Sequence, residues 1–262
     1  MEEIAPPKLI DLSISVVSHL QIGLVVQLLE DLETYCLDSS LELILTLNLD
    51  EALPFELNRF SFPIQLVRNL APKGFGANHN HAFTHASAGT FCVMNPDIRL
   101  HSNPFNALLS CLGDKSAGVV APLVLGVDGA VEDSARRFPT PLTILCKAMG
   151  RCKDNDYAIG QDAFHPDWVG GMCMVFKRDA FARLGGFDEG YFLYYEDVDI
   201  CARLRLLGYE VVLNPQAKLT HHAQRTSRRS FTFLRWHFKS MMRFFLSPVC
   251  WRARQMKHSE RP

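Results

Sequence analysis

The 262-residue chain has no uninterrupted run of about 18 apolar residues, and its opening, MEEIAPPKLIDL, carries acids where a secretory leader carries bases. A membrane span and secretion are therefore not expected, and a cytoplasmic location is. No CxxC pair occurs among the eight cysteines (Cys36, Cys92, Cys111, Cys146, Cys152, Cys173, Cys201 and Cys250), several of which sit in apolar runs such as GMCMVF. That usage argues against a disulfide frame and a zinc site and predicts reduced, buried thiols. Lys73-Gly74-Phe75-Gly76 lacks the spacing of a Walker phosphate loop, so hydrolysis of a nucleoside triphosphate is not supported. There is no internal repeat and no low-complexity tract. Net charge is also nearly absent, at 27 bases against 28 acids, but it is unevenly spread. From Lys218 onward the chain holds 11 bases and one acid, Glu260, so an acidic body ends in a basic tail.

What is present is enough apolar sequence, 48% of residues, for the core of one α/β domain. Leu9–Val17 reads as a strand and Gln21–Tyr35 as a helix, with Leu24, Val25, Leu28, Leu29 and Leu32 at helical spacing. Strands at 42–47 and 64–67, a helix at 76–87, a strand at 91–94, a helix at 103–112 and a strand at 118–121 continue the alternation. Such an order predicts a mostly parallel sheet covered on both faces. Beyond Pro122 the pattern loosens: Asp128-Gly129 marks a hairpin turn, and 139–167 reads as an insertion with one short helix at 142–149. It sharpens again into a strand at 172–176, a short helix capped by Asp179 and stopped at Gly185-Gly186, a helix at 197–207 and a strand at 209–213.

Two acidic positions could carry chemistry. Asp97, in FCVMNPDIRL, follows a strand directly, which puts its carboxylate at the carboxyl end of a parallel sheet, where open α/β proteins bind ligands. A divalent cation bridging phosphates takes one or two protein carboxylates, although Pro-Asp is also ordinary turn chemistry. Tyr194-Tyr195-Glu196-Asp197-Val198-Asp199 brings three acids into a helix start. Helix N-termini favour acids, which accounts for one of them, and Asp199 is expected to cap. Asp197 is expected to act as a base toward an attacking hydroxyl, with Glu196 orienting acceptor or diphosphate. Gly170 and Gly171 precede a buried strand, where glycine permits either a ligand's close approach or a tight turn. His221 and His222, after another strand, are candidate metal or diphosphate ligands.

The tail interleaves Arg225, Arg228, Arg229, Arg235, Lys239 and Arg243 with Phe231, Phe233, Leu234, Trp236, Phe238, Met241, Met242, Phe244 and Phe245. A basic amphipathic helix on an anionic membrane surface is one reading, and a helix packed on the acidic body is the other. No recognition module accompanies the charge, so nucleic acid is not an expected partner.

Taken together, WVGGMCMVFKRDAFARLGGFDEGYFLYYEDVDICARLRLLGYEVVLNPQAKLTHH and NLAPKGFGANHNHAFTHASAGTFCVMNPD resemble family 2 glycosyltransferases of the GT-A fold, particularly the rhamnosyltransferase-like branch. The resemblance runs from about Leu9 to His222. It implies a Rossmann-like catalytic domain over 1–222, with 223–262 as a C-terminal helical extension. It further implies a nucleotide-diphosphate sugar donor, Mg2+ or Mn2+, an inverting displacement, and a glycan or lipid-linked acceptor in cell-surface polysaccharide synthesis at the inner face of the plasma membrane. Asp97 with His221 or His222 would hold the metal and diphosphate, and Asp197 would deprotonate the acceptor. Asn78 and Asn80 match a family region near the donor nucleotide, as does Asn48. The chain departs from the family where strand two usually ends in Asp-Asn: Leu47-Asn48 stands there, which removes a hydrogen bond to the donor worth about 1–3 kcal/mol. A non-catalytic nucleotide- or glycan-binding protein of the same fold is the alternative this departure leaves.

Overall fold

A computed structural model describes residues 10–149, 156–222 and 231–259. Cys152, Arg225, Arg228, Arg229 and Glu260 lie outside the described residues. The chain forms β1 (Leu12–Ser18), α1 (Ile22–Tyr35), β2 (Leu41–Leu47), β3 (Ile64–Arg68), α2 (Phe75–Phe83), β4 (Thr90–Met94), β5 (Ile98–Arg99), α3 (Phe105–Leu112) and β6 (Ala117–Gly126). Then follow β7 (Ala135–Arg136), α4 (Pro141–Ala148), β8 (Trp168–Val169), β9 (Cys173–Lys177), α5 (Arg178–Leu184), α6 (Glu196–Leu206), β10 (Glu210–His221), α7 (Phe231–Leu246) and α8 (Pro248–Ser259).

Eight strands make one sheet in the order β3-β2-β1-β4-β9-β6-β10-β5, and β7 pairs with β8 in a small second sheet. The half from β3 to β4 is parallel, as the β/α alternation predicts. In the other half β6 and β10 are again parallel, but β9 is antiparallel to both β4 and β6, and β5 is antiparallel to β10. The sheet is therefore mixed, with six of its eight strands running in one direction, as expected, and β9 and β5 against them. The reversal has a local cause, because the chain enters β9 from the Gly170-Gly171 turn at the sheet's carboxyl edge and so must run back against β4.

Two apolar layers sandwich the sheet. On one face α1 and α3 bury Leu28, Leu32, Phe105 and Leu108; on the other, α2, α5, α6 and the C-terminal helices bury Phe91, Phe176, Phe181 and Phe244. The seven described cysteines are free thiols, five of them buried, as their apolar settings predict.

Several boundaries differ from the sequence reading. α2 ends at Phe83, where the Thr84 hydroxyl donates to the His81 carbonyl, and Ser87 leaves the helical path to donate to the Glu42 carboxylate. β10 continues through Asn214-Pro215 to His221 by way of a bulge against β6. Asp179 lies in the first turn of α5 without capping it. Asp199 does not cap α6 either; it is buried and accepts from Arg203 Nε at 2.6 Å, an (i, i+4) pair.

Candidate active site at the carboxyl edge of the sheet

Parallel strands β1 and β4 are neighbours while the chain leaves them toward opposite sides, so a crevice opens beyond their carboxyl ends. Asp97 sits there, just after β4. His221, at the end of β10, reaches it from the far half of the sheet, with Nε2 3.2 Å from Asp97 Oδ2. The other ring nitrogen, Nδ1, lies 2.8 Å from Glu132 Oε2. Burial opposes charge on this ring, but hydrogen bonds and charges from Asp97, then Glu132, outweigh it and push its pKa up to about 9. Asp97 Oδ1 is buried and has no partner. A buried carboxylate oxygen left bare beside an imidazole is the donor set a divalent cation fits, with the cation taking the place of the proton on Nε2. Among the described residues no three His, Cys, Asp or Glu side chains converge as a ready-made metal cage. His222 is exposed, and only its backbone reaches the cluster, donating N–H to the Asp97 carbonyl at 2.8 Å.

The second acidic position is built differently. Tyr194 and Tyr195 both take left-handed backbone conformations, with φ of 70° and 69°. For bulky residues each costs about 1–3 kcal/mol, and such strain persists only where the surroundings impose it. It presents Glu196 and Asp197 at the first turn of α6. Asp197 Oδ1 accepts from the Val198 N–H at 2.8 Å, and Oδ2 accepts from the Gly171 N–H at 3.2 Å. Gly171 is thus in contact with the base candidate, and Gly170 is held by its N–H on the Ser134 carbonyl. Burial pushes both carboxyls above their ordinary values, and Asp197's charge raises Glu196 further. Two backbone donors and the Arg136 charge resist the rise at Asp197, whereas Glu196 is only 6% exposed and its Oε2 has no partner. Of the pair, Glu196 is the one that keeps a proton and Asp197 the one that ionises.

The two centres are tied together. Asn95, at the head of the Asp97 turn, donates its N–H to the Met172 carbonyl, one residue from Gly171. Asp197 opens on a cavity of about 430 Å3 walled by Trp168, Tyr194 and Tyr195, with Arg136, Arg137 and His237 around it. Aromatic walls, a carboxylate and guanidinium groups suit a polyhydroxylated ligand that carries negative charge.

The asparagines direct their hydrogen bonds to partners other than the two carboxylates. Asn48 and Asn78 form a largely buried amide network with Asn69 and the Lys73 backbone, which pins the loop before α2 to the ends of β2 and β3. Asn80 brackets the turn at 186–189, accepting from the Phe187 N–H and donating to its carbonyl. Gly186 makes this possible: its φ is +75°, and a Cβ there would fall 2.2 Å from Asn80 Oδ1. Leu47 points into the core, 1% exposed, below the crevice. Glu132 was missed in the sequence, where it is one acid after a hairpin turn with no motif around it.

Solved structures share this architecture. A mannosyltransferase from Pyrobaculum calidifontis, in complex with GDP-Man and Mn2+, superposes with a TM-score of 0.61 at 18% identity, covering 91% of this chain and 66% of that one. GalNAc-T7, with UDP, GalNAc and Mn2+, gives 0.65 at 14% identity, covering 83% and 45%. These likenesses define the class as a GT-A fold. Residues 159–226 match the family described as the N-terminal domain of galactosyltransferase. Rhamnosyltransferase WbbL of Escherichia coli (strain K12) is 30% identical over 185 residues, which cover 65% of this chain and 69% of that protein. The N-acetylglucosaminyl-diphospho-decaprenol L-rhamnosyltransferase of Mycobacterium tuberculosis is 35% identical over 162 residues, 56% of this chain and 52% of that protein. The chain belongs to the family 2 glycosyltransferases related to these rhamnosyltransferases. It spans about half the length of the mycobacterial relative.

Proposed function

We propose that the protein transfers a sugar from a nucleotide-diphosphate donor to a glycan or lipid-linked acceptor, with inversion at the anomeric carbon. The observation that carries this reading is Asp197, ionisable and fixed by two backbone donors, opening on an aromatic-walled cavity beside the turn that leads to Asp97. Asp97 and His221 would hold Mg2+ or Mn2+ at the donor diphosphate. When bound, the cation neutralises charge on the leaving diphosphate. Asp197 takes the proton of the acceptor hydroxyl as it attacks the face opposite the leaving group, and Glu196, protonated, donates a hydrogen bond to acceptor or diphosphate. Gly170 and Gly171 keep the turn close to donor and base. Asn48, Asn78 and Asn80 would act on the donor through the loop and turn they hold. Rhamnose from a dTDP donor is the donor we favour, because two relatives are named rhamnosyltransferases.

The test is a panel of nucleotide sugars with a lipid-linked sugar acceptor, assayed with Mn2+ and with chelator. Transfer is expected with one donor, dependent on the cation, and anomeric coupling constants of the product should report inversion. Calorimetric binding of nucleoside diphosphate without turnover across the panel would favour a non-catalytic binding protein instead.

We further propose that the enzyme works on the cytoplasmic face of an anionic membrane. Among the described residues no helix is long and apolar enough to cross a membrane. The outer side of α7 exposes Phe231, Leu234, Phe238, Met242 and Leu246, with Arg235 and Lys239 also exposed on that helix. α4, whose Thr143 and Ile144 line the Asp197 cavity, exposes Leu142 and Leu145. An acceptor on a lipid carrier would be met between these two helices. In flotation with phosphatidylglycerol vesicles, replacing Phe231, Leu234 and Phe238 by Ser is expected to weaken association by about two orders of magnitude or more. Unchanged flotation would exclude α7 as the anchor.

A further inference from the structure

We propose that Glu132 is a positioning residue for the cation site: it fixes the proton of His221 on Nδ1 and thereby aims Nε2 at the cation beside Asp97. The proposal rests on the metal reading above and adds to it a residue that reading does not contain. An imidazole binds a cation through the lone pair of one nitrogen, and the hydrogen bond made by the other nitrogen decides which one is free. Here the two sides of the ring are unequal. Nδ1 lies 2.8 Å from Glu132 Oε2, while Nε2 faces Asp97 at a longer 3.2 Å. The bare buried oxygen, Asp97 Oδ1, is on the Nε2 side. The need for a cation and the better proton acceptor therefore lie at opposite ends of one imidazole.

The chain builds this arrangement deliberately from the backbone. β6 runs on to Gly126, the register partner of His221 on β10. The chain then turns through Gly129, with the Gly126 N–H donating to the Ala130 carbonyl, and returns so that the Glu132 N–H donates to Val124. Two residues later the Ser134 carbonyl accepts from Gly170. Glu132 is thus fixed by main-chain bonds on both sides and set across the end of β10 on the face away from Asp97. A carboxylate hydrogen-bonded to a ligating imidazole also raises its basicity, which strengthens the ligand.

The test is Mn2+ binding by the full chain, followed by electron paramagnetic resonance in the presence of inorganic pyrophosphate, with thermal melts to establish folding. Glu132→Ala is expected to weaken Mn2+ binding about 10- to 100-fold. Glu132→Gln, whose amide oxygen still accepts from Nδ1–H, should recover most of that loss. Asp97→Ala and His221→Ala should lose binding outright. Parent-like affinity in Glu132→Ala, with binding lost in His221→Ala, overturns the role of Glu132 and leaves the metal reading standing. Loss of Mn2+ binding in a folded Glu132→Gln as large as in Glu132→Ala overturns the assignment of the proton, and where the alanine variant fails to fold, a folded Glu132→Gln that has lost about 10-fold or more does so alone. If the parent binds no Mn2+, or His221→Ala binds as the parent does, the metal reading falls and the Glu132 proposal falls with it.

Discussion

Asp197→Asn is expected to lower kcat for sugar transfer by about 10^2- to 10^4-fold, the contribution of a positioned general base, while donor binding stays near the parent value. Asparagine keeps the size of the side chain and can still accept from the Val198 N–H, but it cannot take a proton. The proposed Mn2+ and diphosphate end would rest on Asp97 and His221, on the other side of the Gly170–Met172 turn. Glu196→Gln is expected to cost far less, because Glu196 is the carboxyl of the pair that holds its proton and glutamine imitates that neutral state. The sign of the pH dependence follows from the direction of the shifts. Both carboxyls are raised above their ordinary values, so activity should climb with pH as Asp197 ionises, along an acid limb displaced upward from the usual carboxylate range. Stability runs the other way. The folded state favours the protonated carboxyls, so their contribution is full below the ordinary carboxylate range and lost as pH rises through the folded values. Asp197→Asn should flatten the fall in melting temperature across that window. Full transfer activity in Asp197→Asn would show that another group is the base.

The parts of this site legible in the sequence are those that depend on local pattern. Asp97 announces itself by following an apolar strand, and Asp197 by entering a helix among other acids. The asymmetry of the pair was not legible, since it comes from burial of Glu196 and from the Gly171 N–H, 26 residues before Asp197 in sequence. Long-range pairing hid more. Glu132 meets His221 across 89 residues, and a single acid in a hairpin has no signature to mark it. The direction of β9 was not legible, because alternation says nothing about a strand entered from the carboxyl edge. One miss was avoidable: Asp199 and Arg203 stand four apart on a helix, the spacing of an ion pair, and the pair took precedence over capping. Of the two readings of the tail, packing on the body holds for one side of α7, and its exposed side leaves the membrane proposal open to test.

Phe244→Ala should damage both stability and turnover from outside the site, because α7 holds the strained approach to Asp197. Phe244 is 1% exposed and packs with the Tyr195 ring at a centroid distance of 5.8 Å. The Ser240 hydroxyl donates to the Leu193 carbonyl at 2.8 Å, and Trp236 packs at a tilt against Phe192 with centroids 4.7 Å apart. The same helix therefore grips the two residues before the left-handed tyrosines and Tyr195 itself. Truncating a buried phenylalanine costs about 3–5 kcal/mol, comparable with the about 1–3 kcal/mol of strain at each tyrosine. Losing that support lets Tyr194 and Tyr195 relax toward ordinary backbone angles, which would turn the first turn of α6 and move Asp197. The expected result is a melting temperature lower by about 6–20 °C, with kcat reduced even at temperatures where the variant is fully folded and KM for the donor little changed. Phe238→Ala, on the exposed side of α7, should alter neither with a soluble acceptor. A folded Phe244→Ala enzyme with the parent kcat would mean that the tyrosine conformation is held from within the body, and that α7 contributes stability alone.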